Sequence, residues 1–245
     1  MGKSDFRKLR IIEDSIKRGE EVCLIRVLDR ESNQWRRVVS VSEKNKSHEI
    51  PSVLLDKIEC ETGLAHRLGD ARDISNNDRW VQIAVEILRP KLKLLVFGGG
   101  HVGQAVALMG AILGYDVTVA DDRPEFVARQ RLPDPGIRLL VGNYSQLIEE
   151  IKIEPNSAIV IVTRGHQFDE VCLRGTIKSN AGYLGMIGSK RRVVSVINRL
   201  KNDGYSDVDF SKLHAPIGLS IGAKSPQEIA IAIHAEIINH FNNRE

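Results

Sequence analysis

The chain has 245 residues, 42% of them hydrophobic and 27% charged, the balance of an ordinary globular protein and not of a disordered or collagen-like one. Its 35 Lys and Arg against 32 Asp and Glu leave a net charge of +3, too little to argue for nucleic acid, and 5% aromatic residues provide few stacking platforms for single strands. No apolar run approaches the roughly 18 residues of a membrane helix, and the charged start M-G-K-S-D-F-R-K has no apolar core for a secretory signal.

Leu9, Ile12 and Ile16 recur at helical spacing, and Gly19 can end the helix they predict. Residues 22–28 read as a strand, 29–34 as a turn and 35–41 as a second strand, together a hairpin. A polar loop at 42–49, a short helix at 53–58 and a polar stretch at 69–79 follow, and then an apolar, β-branched strand at 80–88. Arg89-Pro90 breaks the chain, because Pro90 cannot donate to a ladder. The domain boundary falls there: a small α+β domain over 1–90 and a second domain over 91–245. Cys23, Cys60 and Cys172 form no C-x-x-C pair, and three thiols cannot pair completely. The chain therefore reads as reduced and cytoplasmic, with each thiol a small core residue. Gly2 makes no myristoylation signal, since Phe6 stands where Ser or Thr is wanted.

From Lys91 the pattern alternates. Strands are predicted at 92–97, 116–120, 137–141, 158–162 and 183–187, and helices at 101–113, 124–130, 144–152, 169–179 and 190–202. Parallel neighbours need crossover helices, so this is an α/β chain with a Rossmann-like, doubly wound parallel sheet. The last helix opens at Ser225-Pro226-Gln227-Glu228, a capping box with Pro at the first helical position. It is apolar on more than one face and must be covered, inside the domain or by a second copy in a homodimer.

The strongest motif is G-G-G-H-V-G at 98–103, which contains Gly98-x-Gly100-x-x-Gly103 between a strand and a helix. Gly98 allows the tight turn, Gly100 lets backbone approach a phosphate, and Gly103 lets helix and strand pack closely. Asp121 lies 23 residues after Gly98 at the end of the next strand, where an acid binds a ribose 2′-OH. Arg123 is the competing signal, for a phosphate; Asp122 reads as a cap for the helix starting at Pro124. His101 either touches the ligand or points outward. Later strands are followed by T-R-G-H-Q-F-D at 163–169 and G-S-K-R-R at 188–192. Ligands sit outside the carboxyl ends of such strands, so Arg164, His166, Ser189, Lys190 and Arg191 converge near the glycine loop. Asp169 reads as an N-cap and Arg192 as a solvated helix cation. H-A-P-I-G-L-S-I-G at 214–222 is a lid or an interface strap, with His214 a loop histidine or a ligand group. No metal site, nucleophile elbow or Walker lysine is found, and no catalytic residue is assigned.

Five blocks in order over residues 94–237 resemble the XdhC/CoxI family of accessory factors: V-F-G-G-G-H-V-G-Q-A, A-D-D-R-P-E-F, V-T-R-G-H-x-F-D, G-M-I-G-S-K-R-R and H-A-P-I-G-L-x-I-G-A-K-S-P-Q-E-I-A. The resemblance implies a Rossmann-like domain behind a smaller N-terminal one. It further implies a molybdenum cofactor chaperone, an accessory protein rather than an enzyme. Such a chaperone binds molybdopterin, supports its sulfuration by a cysteine desulfurase and delivers it to a xanthine dehydrogenase-type molybdenum hydroxylase. The N-terminal third departs from the family: D-R-E-S-N-Q-W-R-R stands where G-S-x-P-R is usual, and Cys60 lies in E-C-E-T-G. Two other readings stay open. An NAD(P)-dependent oxidoreductase would need a proton donor, for which His166 or His214 offers itself, and a substrate domain that does not follow. A non-catalytic NAD-sensing module does not account for the H-A-P-I-G-L block.

Overall fold

The computed structural model describes residues 14–15, 22–29, 34–41, 71–72, 80–88 and 90–243. The chain divides between Pro90 and Lys91 into two compact units. In the first, strands β1 (Val22–Asp29), β2 (Gln34–Val41), β3 (Ala71–Arg72) and β4 (Trp80–Leu88) form an antiparallel sheet in the order β2-β1-β4-β3. β1 and β2 pair from Val22–Val41 to Asp29–Gln34, the expected hairpin. β3 falls in the polar stretch at 69–79, where no strand was expected; two residues are too short to show a period. Asp14 and Ser15 are helical, while the predicted helix at 53–58 and the loop at 42–49 lie outside the described residues.

The second unit is a six-stranded, wholly parallel sheet. Its strands are β5 (Lys93–Phe97), β6 (Asp116–Asp121), β7 (Arg138–Val141), β8 (Ser157–Ile161), β9 (Tyr183–Met186) and β10 (Leu213–His214). The order is β10-β9-β8-β5-β6-β7, so the strand order reverses between β5 and β8. That reversal is the topological switch point, where a crevice opens at the carboxyl edge. The helices are α1 (His101–Ile112), α2 (Tyr144–Glu150), α3 (His166–Thr176), α4 (Lys190–Asn202) and α5 (Pro226–Asn242).

Side chains alternate across each strand, so both faces of the sheet are buried. Leu95, Phe97, Ile159 and Ile161 pack with Leu147, Leu173 and Val196 of α2, α3 and α4. Leu94, Val96, Val117 and Val119 pack on the other face with Val106 of α1 and Ile233 and Ile237 of α5. Each of these buried side chains contributes about 1.5–3 kcal/mol. Gly110 lets α1 come close: a Cβ there would lie 2.4 Å from Leu94 Cδ2 and 3.5 Å from His234 Cε1. His234 is buried, its Nε2 2.9 Å from the Val106 carbonyl oxygen, and burial pushes its pKa down. It is a structural, neutral imidazole. The inner face of α5 is thus covered within the domain, while Ile231 and Ile238 are exposed.

Two local expectations need correction. The helix expected at 124–130 is one 3₁₀ turn, Pro124–Phe126, after which Val127 leaves helical geometry. Pro133 and Pro135-Gly136 leave little room for a longer helix before β7. Helix α3 starts three residues earlier than expected, with Gly165 at its N-cap. Asp169 is therefore not a cap but a fully buried residue of the first turn.

Candidate functional site at the carboxyl edge of the parallel sheet

The glycine loop leaves β5 under tight constraint. Gly98 has φ +110°, and a Cβ there would lie 2.5 Å from the Val162 carbonyl oxygen. A Cβ on Gly103 would lie 1.7 Å from the Gly98 carbonyl oxygen, so helix and turn touch backbone to backbone. Gly99, a variable position in the fingerprint, is also constrained: its Cβ would lie 2.4 Å from the Phe126 carbonyl oxygen. Gly100 differs from all three. Nothing lies within 4 Å of a Cβ placed there, and it caps α1 with no side-chain hydrogen bond. The loop is rigid around one open position at a helix N-terminus, the arrangement that suits an anion.

Asp121 turns back onto that loop. Its Oδ2 accepts from the Gly99 amide at 2.8 Å and from Arg123 Nη2 at 3.1 Å. Its Oδ1 accepts from the Arg123 amide and from Arg123 Nε, both at 3.0 Å. The side chain is fully buried. Burial alone would raise the carboxyl, but the bonds from Arg123 and the Gly99 amide outweigh it and hold the pKa below its ordinary value. The Arg123 guanidinium carbon lies 3.7 Å from the Phe126 ring centroid, with Arg131 at 4.9 Å from the same ring. Arg131 and Gln104 of α1 exchange hydrogen bonds, which fastens the segment after β6 over the start of α1.

A second set of contacts crosses the switch point. Arg164 follows β8 and Asp122 follows β6, the two strands that flank β5. Arg164 Nη2 donates to Asp122 Oδ2 at 2.8 Å, so this ion pair spans the end of β5 beside the glycine loop. Arg164 is 45% exposed and its guanidinium lies 4.9 Å from the Phe168 ring centroid. Below it, buried Asp169 accepts from Thr163 Oγ1 and from Arg192 Nη2. Arg192, read as a solvated cation, is instead the partner of a buried carboxylate, and burial lowers its pKa. This network ties the loop after β8 to α3 and α4.

The remaining sequence candidates lie as follows. Ser189 caps α4, its Oγ accepting from the Arg192 amide at 3.3 Å. Ser189, Lys190 and Arg191 are exposed where α4 begins after β9. His166 is the first residue of α3 and His101 the first of α1. His101 is exposed and lines a groove of about 280 Å³ between α1 and α5, with Gln104, Leu108, Pro226 and Gln227. His214 lies elsewhere. β10 sets it level with Gly185, below the carboxyl edge. Its ring stacks on Tyr183 at 4.5 Å, and its Nδ1 is 3.7 Å from Glu236 Oε1. Glu236 in turn accepts from the Tyr183 hydroxyl at 2.5 Å and the Gly218 amide at 2.9 Å, which fastens the strap after β10 to α5. Among the described residues no group of His, Cys, Asp and Glu is placed to hold a metal ion, and no helix is long and apolar enough to cross a membrane.

Residues 94–237 match the family model described as the XdhC Rossmann domain. The chain belongs to the XdhC family. Over 163 residues it is 35% identical to an uncharacterized protein, YqeB, of Escherichia coli K12, a match covering 66% of this chain and 29% of that one. It is 30% identical over 161 residues to a probable xanthine dehydrogenase subunit of Bacillus subtilis 168, covering 66% and 46% of the two chains. Identity to the E. coli molybdenum cofactor insertion chaperone PaoD is 22% over 149 residues, covering 61% and 40%. The matches thus span less than half the length of these XdhC-like relatives. A crystal structure of a xanthine dehydrogenase from Bacillus halodurans shares the fold, with a TM-score of 0.69 at 24% identity over 98% of this chain and 65% of that one.

Proposed function

We propose that this XdhC-family protein is an accessory factor that binds the molybdenum cofactor and helps deliver it, sulfurated with a cysteine desulfurase, to a xanthine dehydrogenase-type hydroxylase. Supporting the reading is the open Gly100 position at the N-terminus of α1, on the same carboxyl edge of the sheet where Arg164 follows β8 and Lys190 and Arg191 follow β9. The cofactor is cargo here, and its pterin carries a phosphate. Backbone amides at the start of α1 would receive that phosphate, with Arg164, Lys190 and Arg191 as counter-charges. Names of relatives support the same reading, one being a cofactor insertion chaperone and another a probable xanthine dehydrogenase subunit.

Holding and releasing cargo requires charge and shape, not bond chemistry, so no residue is assigned a catalytic part. The oxidoreductase reading gains no support from His214, which is engaged with Tyr183 and Glu236 below the edge. The exposed Ile231 and Ile238 of α5 suit a homodimer. The test is reconstitution: a cofactor-free xanthine dehydrogenase-type hydroxylase is mixed with molybdenum cofactor, with and without this protein. Faster or fuller activation in its presence is expected. No effect, together with NAD(P)H turnover by the protein alone, would overturn the proposal.

A further inference from the structure

We infer that Asp121 and Arg123 close the adenosine half of the Rossmann site, so that the glycine loop takes the phosphate of a ligand that carries no ribose diol against β6. The inference rests on reading the loop as an anion site and goes on to say which anions it admits. In a dinucleotide fold the acid at the end of the second strand accepts from the ribose 2′-OH. An ionised carboxylate offers about four acceptor positions. All four of Asp121 are taken within the protein, by the Gly99 amide, the Arg123 amide, Arg123 Nε and Arg123 Nη2. The carboxylate is also fully buried, so a ribose hydroxyl meets no accessible oxygen.

The second signal, an arginine for a 2′-phosphate, is turned inward onto the same carboxylate and is only 20% exposed. Arg123 gives Nε and Nη2 to Asp121, and its guanidinium carbon lies 3.7 Å from the Phe126 ring centroid. Phe126 and Arg131 then occupy the flank over Gly99 and the start of α1. Opening this flank means breaking a bidentate, charge-assisted pair and leaving a buried carboxylate short of donors. The other side of the loop is held less tightly: Gly100 is open, and the pair there, Arg164 with Asp122, is solvent-exposed at 45% and 23%, against 20% and 0% for Arg123 with Asp121. A compact phosphate ester that lies toward β8 fits these constraints, and an adenosine diphosphate toward β6 does not.

The test is calorimetric titration of the full chain with inorganic pyrophosphate, ADP-ribose, NAD⁺ and NADP⁺. Expected is pyrophosphate binding, with each nucleotide no more than about threefold tighter, since the ribose gains no charged hydrogen bond. A nucleotide bound about tenfold tighter or more would overturn the inference while leaving the anion site standing. Binding of none of the four would refute the anion site and the inference with it. Asp121→Asn separates the roles further. As an internal anchor of the loop, Asp121 is needed for pyrophosphate binding, so the variant loses it. As a ribose receptor it would not be, and the variant would bind pyrophosphate as the wild type does. If Asp121→Asn fails to fold, the wild-type affinity ratios still decide.

Discussion

Gly100→Val and Gly103→Ala, two substitutions three positions apart, should have opposite consequences. Gly103 sits where an added Cβ would meet the Gly98 carbonyl oxygen at 1.7 Å, against the 3.4 Å or more of an ordinary contact. Relief requires α1 and the loop to part by more than an ångström. The loop is pinned by the Gly98 amide to Ala120, and α1 is held by the sheet and by α5. Overpacking of side chains costs about 1–3 kcal/mol, and a backbone clash in so fixed a place belongs at or above the top of that range. For a domain of this size about 3 kcal/mol lowers Tm by roughly 6–12 °C. At Gly100 nothing lies within 4 Å, φ is −61°, and the backbone is extended, a geometry Val adopts without strain. Loss of a glycine N-cap there costs about 1 kcal/mol or less. The Val side chain fills the only open position of the loop, so pyrophosphate binding should disappear from a folded protein. Thermal denaturation and calorimetry read the two effects separately. A Gly103→Ala variant as stable as wild type, or a folded Gly100→Val variant that binds pyrophosphate normally, would refute this account of the loop.

Arg192→Met should cost about 3–5 kcal/mol in urea denaturation, because it strands buried Asp169, whereas exposed Arg191→Met should stay within about 0.5 kcal/mol. Arg164→Ala should weaken pyrophosphate binding by about 1–3 kcal/mol and reduce its salt dependence, while Asp122→Asn should tighten binding by freeing Arg164; unchanged affinities in both would remove Arg164 from the site. Acid should destabilise the fold in two stages. His234 has a lowered folded pKa, so its share of stability falls as pH drops below about 6.5; that of Asp121, also lowered, is present above about pH 4 and lost below it. Denaturant midpoints followed from pH 8 to 3 would check this, with His234→Gln flattening the first stage. Light scattering should give twice the chain mass at micromolar concentration, and Ile231→Lys should halve it; a wild-type monomer would exclude the dimer.

Much of the parallel sheet was legible because its signals are local. Leu94 and Val96 face one side and Leu95 and Phe97 the other, and a fully buried strand shows as the short apolar run that contains them. The glycine fingerprint is equally local, and Gly98 and Gly103 do the work their spacing implied. The capping box of α5 appeared as written, Ser225 with Glu228. What stayed hidden depends on strand order. Asp169 and Arg192 are 23 residues apart, and Asp122 and Arg164 are 42 apart, so neither pair shows a spacing. Each forms only once β6, β5 and β8, or α3 and α4, are neighbours. Asp121 and Arg123 were legible as competing ligand signals, but their bonds to each other, and that of Asp121 to the Gly99 amide, form only once β6 lies beside the glycine loop. The same holds for His214, whose height below the edge is fixed by the two-residue strand β10.

The most direct test of cofactor binding at the glycine loop is to incubate the full chain with molybdenum cofactor freshly released from a donor enzyme, pass it through gel filtration, and measure the pterin that elutes with it. Wild-type protein should retain cofactor, Arg164→Ala should retain less, and folded Gly100→Val should retain none. Equal retention by wild type and Gly100→Val, or none by wild type, would contradict the assignment of the cofactor to this edge of the sheet.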